Sequence, residues 1–210
     1  MFTNYLKIAW RNLIKHKGYS LLNISGLAVG IAAVILVFVY VQDETGYDTI
    51  HPQHELVFGI GEEFTTDEGE KFKLPSAPSG WANLLKEQVP GVVETLRVFG
   101  PGYPHSIRNP EDNKTILTQD SEIFLVDGSY GKVLHFPLLY GNEEQVLSEP
   151  NSIVLSEKVA ERLFGSIDVV GRTLEIKNLF IAKEYANLKG TGVMKNYPNN
   201  SHIRPDYLLS

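Results

Sequence analysis

His51 and His54, separated by two residues and followed directly by Glu55, are the side chains whose types and spacing come nearest to chemistry, and that chemistry would be metal binding. Zinc needs three or four converging ligands, and no His-Glu-x-x-His pattern completes this pair, so both histidines are read as structural or solvent-facing. The chain has no Cys. That removes disulfides, a thiol nucleophile and thiolate metal sites together. There is no Gly-x-x-x-x-Gly-Lys-[Ser/Thr] with which to cradle phosphates, and no Gly-x-Ser-x-Gly nucleophile elbow. The 25 acidic residues outnumber the 19 Lys and Arg. Without a paired geometry, that abundance describes a solvated surface rather than an acid/base site. The expectation is a protein that is not an enzyme, with no catalytic residue, no cofactor site and no metal site.

With chemistry set aside, the sequence is organised around residues 21–41, LLNISGLAVGIAAVILVFVYV, which hold no ionisable group other than a tyrosine phenol. A helix of that length is about 31 Å long, matching a hydrocarbon core of about 30 Å. A transmembrane helix over residues 19–41 follows. Lys7, Arg11, Lys15 and Lys17 precede it without any acid, and Asp43, Glu44 and Asp48 follow it. Positive charge stays inside. The N-terminus is therefore expected in the cytoplasm and residues 42–210 outside the membrane. A cleaved signal peptide is the competing reading. It calls for an apolar region of about 7 to 15 residues ending in a small-x-small site, which Val39-Tyr40-Val41-Gln42 does not supply.

Within the span, Gly26 and Gly30 lie one turn apart and Ala33 extends their face, a surface on which a second helix can approach closely. Residues 1–18 carry Phe2, Leu6, Trp10 and Leu13 at intervals of three and four, with Lys7, Arg11 and Lys15 repeating beside them. That pattern suits an amphipathic helix in the cytoplasmic interface, its rings in the lipid and its basic groups near phosphates. Lys7, Trp10, Arg11 and Lys15 are the expected membrane-interface residues. The net charge of −6 leaves about −10 for the external part, which argues against nucleic acid as a partner.

Beyond residue 42 the pattern is mixed. Leu56, Phe58 and Ile60 alternate as in a strand over residues 55–61, and residues 64–74 read as a hairpin or loop turning at Asp67-Glu68-Gly69. A helix over residues 80–88, capped by Ser79, places Trp81, Leu84 and Leu85 on one face for core packing. Residues 92–99 read as a strand and 100–104 as a turn. Short strands follow at 115–117 and 123–126, and a turn at 127–130 leads into an element over 133–136. Ser152-Ile153-Val154-Leu155 is a strand, Ser156 an N-cap, and residues 157–164 a helix with Val159, Ala160 and Leu163 inward and Gly165 as its stop. Strands over 171–176 and 191–194 and a last one ending at Ser210 complete the chain. Gly141, Gly165 and Gly171 sit at element ends as backbone devices. Strands outnumber helices and the connections are short, so the external part is α+β, arranged in two lobes.

These residues carry a resemblance. Tyr5-Leu6-Lys7-Ile8-Ala9-Trp10-Arg11-Asn12, His16-Lys17-Gly18 and Asn23-Ile24-Ser25-Gly26-Leu27-Ala28-Val29-Gly30 resemble the start of MacB-like and FtsX-like permease subunits of ABC transporters. Tyr47-Asp48 with His51 is similar to that family's juxtamembrane lead-in to a periplasmic core domain. So are Phe136-Pro137-Leu138, Gly141, the run from Leu147 to Ser156, Ala160, Phe164-Gly165, Gly171 and Thr191-Gly192-Val193 to its later signature. Gly59 departs from it, where the family often has an arginine. The resemblance implies a MacB-like periplasmic core domain over residues 42–210, in the inner membrane of a bacterium. It also implies a permease homodimer or heterodimer, a separate ABC ATPase subunit, and external domains moved mechanically through the membrane helices. Such permeases return to the membrane for at least three further helices. These 210 residues are therefore expected to be an N-terminal part of a permease, truncated before the later helices. The alternative is a stand-alone single-pass anchored binding or sensor domain.

Overall fold

The computed structural model describes residues 2–100, 105–118, 123–178 and 182–210. They fall into two units, residues 1–47 and residues 48–210. The first unit is helical. α1 (Phe2–Lys15) hands over at His16 to α2 (Lys17–Thr45), the Ser20 N–H donating to the His16 carbonyl at 2.9 Å. α2 buries none of its residues, and it is long and apolar enough to cross a membrane. Apolar side chains around the full circumference of a helix match a lipid solvent rather than a one-sided core.

The second unit is built on a nine-stranded mixed sheet. Its strands are β3 (Val98–Phe99), β4 (His105–Arg108), β5 (Thr115–Thr118), β6 (Ile123–Val126), β7 (Leu138–Tyr140), β8 (Ser152–Ser156), β9 (Thr173–Asn178), β10 (Ala182–Met194) and β11 (Tyr207–Leu209). They run in the order β3-β6-β11-β8-β10-β9-β4-β5, with β7 paired to β10 outside that path. Most pairs are antiparallel. β8 with β10 and β6 with β11 are parallel. β8 is buried at all five positions because both faces of the sheet are covered, which explains its unbroken apolar run. Ile153 and Leu155 join Val159, Ala160 and Leu163 of α5 (Glu157–Phe164) on one face. Val154 joins Tyr130 of the one-turn helix α4 (Tyr130–Val133), together with Phe136, Met194 and Leu208, on the other.

Apart from this sheet, β1 (Glu62–Thr65) and β2 (Lys71–Leu74) form a hairpin through Gly69 at φ +86°, and its Phe64 and Phe72 rings stack at 5.6 Å. α3 (Trp81–Gln88) follows. The fold is mixed α+β, as its sequence pattern requires.

Several local expectations change. Residues 55–61 form no strand: His54–Leu56 is a single 3-10 turn, the next residues are unpaired, and Leu56 and Phe58 are exposed. Alternation makes a strand only where a neighbour offers a ladder. Only Val98–Phe99 of residues 92–99 pairs, for the same reason. Gly80, not Ser79, precedes α3, with no side-chain cap, and Trp81 and Leu84 lie exposed rather than in the core. Ser156 does begin α5, but its hydroxyl donates to Asp206 Oδ1 at 2.9 Å instead of capping the helix. The turn expected over residues 100–104 lies, apart from Gly100, outside the described residues. Gly165 ends α5 at φ +65°, its N–H bonded to the Glu161 carbonyl at 2.8 Å, as a left-handed stop requires. Gly141 has φ +106°, and a Cβ there would sit 2.6 Å from the Thr191 carbonyl oxygen, so only glycine fits.

Candidate functional site: the neck of the external unit

Where the second unit begins, Asp48 and His51 bond to residues far along the chain. Residues 48–57, the neck, follow α2 in sequence and wind as successive turns. The His51 N–H bonds to the Asp48 carbonyl at 3.2 Å, the His54 N–H to the His51 carbonyl at 3.0 Å, and the Val57 N–H to the His54 carbonyl at 3.2 Å. Asp48 starts this path at φ +56°, a left-handed conformation that Asp tolerates better than most residues.

Two clusters fasten the neck to the sheet domain. In the first, Asp48 Oδ1 accepts from the Ser201 hydroxyl at 2.7 Å and from the His202 N–H at 3.0 Å. Its Oδ2 meets His202 Nδ1 at 2.6 Å. The Asp48 N–H donates in turn to the Asn200 carbonyl at 2.9 Å. Partial burial would push the Asp48 carboxyl up, but the bonds from Ser201 and His202 outweigh it and hold the group below the usual carboxylate range. The anion is thus the form this loop is built around.

In the second cluster His51, 4% exposed, accepts the His135 backbone N–H on Nδ1 at 3.1 Å. Burial depresses the His51 pKa, with His135 and His54 adding repulsion and Asp48 partly offsetting it. The His54 ring bonds the His51 carbonyl at 3.0 Å through Nδ1. On the far side of the His135 peptide, the Tyr197 hydroxyl donates to the His135 carbonyl at 3.0 Å and lies 3.3 Å from the Tyr130 hydroxyl. Burial raises both phenols, Tyr197 to about 12 and Tyr130 further, so both stay neutral donors. Val57 closes the neck by packing against the same cluster as Tyr197, Leu138 and Ile203. His51 and His54 thus each bond a backbone group through Nδ1. They serve as anchors for a chain crossing.

The residues singled out from sequence for packing and interface lie in the first unit. Gly26, Gly30 and Ala33 fall within an arc of about 60° on α2. A Cβ on either glycine would meet nothing within 4 Å. On α1, Lys7, Arg11 and Lys15 form one exposed stripe, with Trp10 to one side. Sequence reasoning missed Ser201, His202, His135, Tyr197 and Tyr130. The only signal for them was the polar run Asn199-Asn200-Ser201-His202, which by itself reads as a surface loop.

Comparison with known proteins places this architecture. The MacB-like periplasmic core domain family matches residues 20–209, and the chain belongs to that family. Among solved structures, a domain of a putative permease protein from Porphyromonas gingivalis is similar at 25% identity and a TM-score of 0.53, over 66% of this chain and 59% of that one. The periplasmic region of MacB from Actinobacillus actinomycetemcomitans is similar at 17% identity and a TM-score of 0.40, over 61% of this chain and 52% of that one. The extracellular domain of the noncanonic ABC-type transporter YknZ from Gram-positive bacteria gives 19% and 0.42, over 71% of this chain and 70% of that one. This chain therefore spans about three fifths of the length of the Porphyromonas domain. No curated protein matches it. By family it is a MacB-like periplasmic core domain, and among the described residues it contains one helix long and apolar enough to cross a membrane, near the N-terminus.

Proposed function

We propose that this chain is a non-catalytic part of a MacB/FtsX-type ABC permease in the bacterial inner membrane, with its N-terminus in the cytoplasm. A separate ATPase subunit drives it, and the external domain passes the resulting motion to an exported substrate or a regulated partner. The observation that carries this reading is the neck. A displacement of α2 along the chain reaches Asp48 within three residues of Thr45, and Asp48 and His51 hand it through short hydrogen bonds to loops on the sheet. A flexible linker would dissipate such a displacement. Gly26, Gly30 and Ala33 form the face on which a second permease helix packs, in a homodimer or heterodimer. Lys7, Trp10, Arg11 and Lys15 hold α1 at the cytoplasmic surface of the bilayer.

The test is isolation of the native assembly from source membranes with an antibody against residues 42–210. The reading expects an ATPase in the assembly, and ATP hydrolysis that changes when Asp48→Ala loosens the neck. A lone 23.5 kDa product with no ATPase attached would overturn it in favour of an anchored sensor.

A further inference from the structure

We propose that the neck is a proton-operated latch: protonation of His51 withdraws the acceptor that the His135 N–H requires and frees this half of the neck from the core. The argument begins with the tautomer. A ring nitrogen that accepts a backbone N–H carries no proton, so the latched His51 is neutral with its proton on Nε2. Adding the second proton sets an N–H against an N–H at 3.1 Å and places a cation in a site 4% exposed. Both effects favour the open arrangement, in which the ring reaches water.

The groups facing His51 set the balance. Among the charged groups, Asp48 on the neck itself favours the cation, while the charges of His135 on the stretch after α4 and of His54 on the neck oppose it. From the loop before β11, the neutral Tyr197 ring stands 6.5 Å away, with Tyr130 of α4 behind it. Burial dominates, and the pKa of the latched form lies below the ordinary 6.5.

The direction with pH follows from linkage. Well above the ordinary 6.5 the latched and open forms are both neutral, and the latch has its full strength. As pH falls below 6.5 the open form takes up the proton first. The latched-to-open ratio then drops by up to about tenfold per pH unit, until the lower pKa of the latched form is reached. The Asp48 cluster behaves oppositely. Asp48 keeps its bonds from the Ser201 hydroxyl and the His202 backbone N–H, and these hold its carboxyl below the usual carboxylate range, so mild acid leaves the anion in place. Acid therefore loosens the His51 end while Asp48 holds, and the neck pivots at Asp48 rather than detaching. The opening does not depend on the coupling role proposed above. Its meaning for transport rests on that role, because a pivoting neck uncouples α2 from the sheet.

The chain has no Cys, so spin labels can be placed at will. Gln53→Cys and Lys132→Cys put one label on the exposed side of the neck and one on α4 beside His135. Distances are read by pulsed EPR on the full chain in lipid nanodiscs at pH 7.5 and pH 5. The expected result is a single short distance at pH 7.5 and a growing longer population at pH 5. Asn places a non-titrating oxygen near the position of Nδ1, so His51→Asn should stay short at both pH values. His51→Phe, lacking the acceptor, should be open at both. A parent distance that ignores pH, or an acid opening that persists in His51→Asn, overturns the latch. ATPase coupling that ignores Asp48→Ala while the pH response survives would remove the coupling role and leave the latch intact.

Discussion

In α2, Leu27, Val34 and Leu36 keep 66%, 69% and 70% of their surface exposed, whereas in β8 Ile153, Val154 and Leu155 keep none. The residue types are the same. What differs is the solvent each element is written for: β8 removes apolar surface from water and is stabilised by doing so, while α2 presents its surface to a medium as apolar as itself. The fold of the second unit should thus depend on every methylene of β8 and be indifferent to those of α2. The position of α2 should in turn depend on keeping charge out of its middle, and its associations on shape.

The largest effect belongs to the buried side of this comparison. Leu155→Ala removes a fully buried side chain at the centre of the sheet and should destabilise the second unit by about 2–5 kcal/mol in chemical unfolding. Leu27→Ala, nearly three turns inside α2, should leave that transition within about 0.5 kcal/mol. A shift of comparable size from Leu27 would mean that α2 contributes to the folding of the sheet.

The next effect sits on the exposed side. Val34→Arg puts a charge near the middle of the apolar run, which costs roughly 2.5–3.5 kcal/mol of insertion free energy. The fraction of chain inserted, measured by protease protection of residues 42–210, should fall, while the unfolding midpoint of the second unit stays as it was. Unchanged protection would show that α2 is not held by the bilayer.

The same contrast explains what the sequence made legible. β8, α5 and the Gly165 stop were readable because their determinants are local: an apolar run, an amphipathic period and a left-handed stop lie within fourteen residues. The expected strand over 55–61 had the right alternation and failed for want of a ladder partner, something no local pattern records. β10 ran the other way. Lys183 to Gly192 shows no clean alternation, yet β10 extends from Ala182 to Met194, pairing with β8 and β9 and, at Val193 and Met194, with β7, because its neighbours complete its backbone bonds. The neck was half visible. Asp48 and His51 stood out through the resemblance to permeases, but Ser201 and His202 lie 153 and 154 residues from Asp48, and spacing at that range carries no geometry.

The smallest effect tests shape alone. Gly26 and Gly30 have nothing within 4 Å of a built Cβ, so this chain by itself gives no reason for glycine at either position. In a water-soluble helix interior, glycine is unfavourable by about 1 kcal/mol relative to alanine. Gly26→Leu and Gly30→Leu should therefore leave α2 as helical as before and insertion undiminished. If a second helix packs on this arc, the two leucines prevent its backbone from approaching, and crosslinking of the chain to helical partners in native membranes should drop several-fold while Leu36→Ala changes little. Because insertion and the unfolding of the second unit serve as internal controls, a loss confined to crosslinking can come only from the small-residue face. Crosslinking that survives both substitutions would assign the contact to another side of α2 and return the glycines to ordinary helix composition.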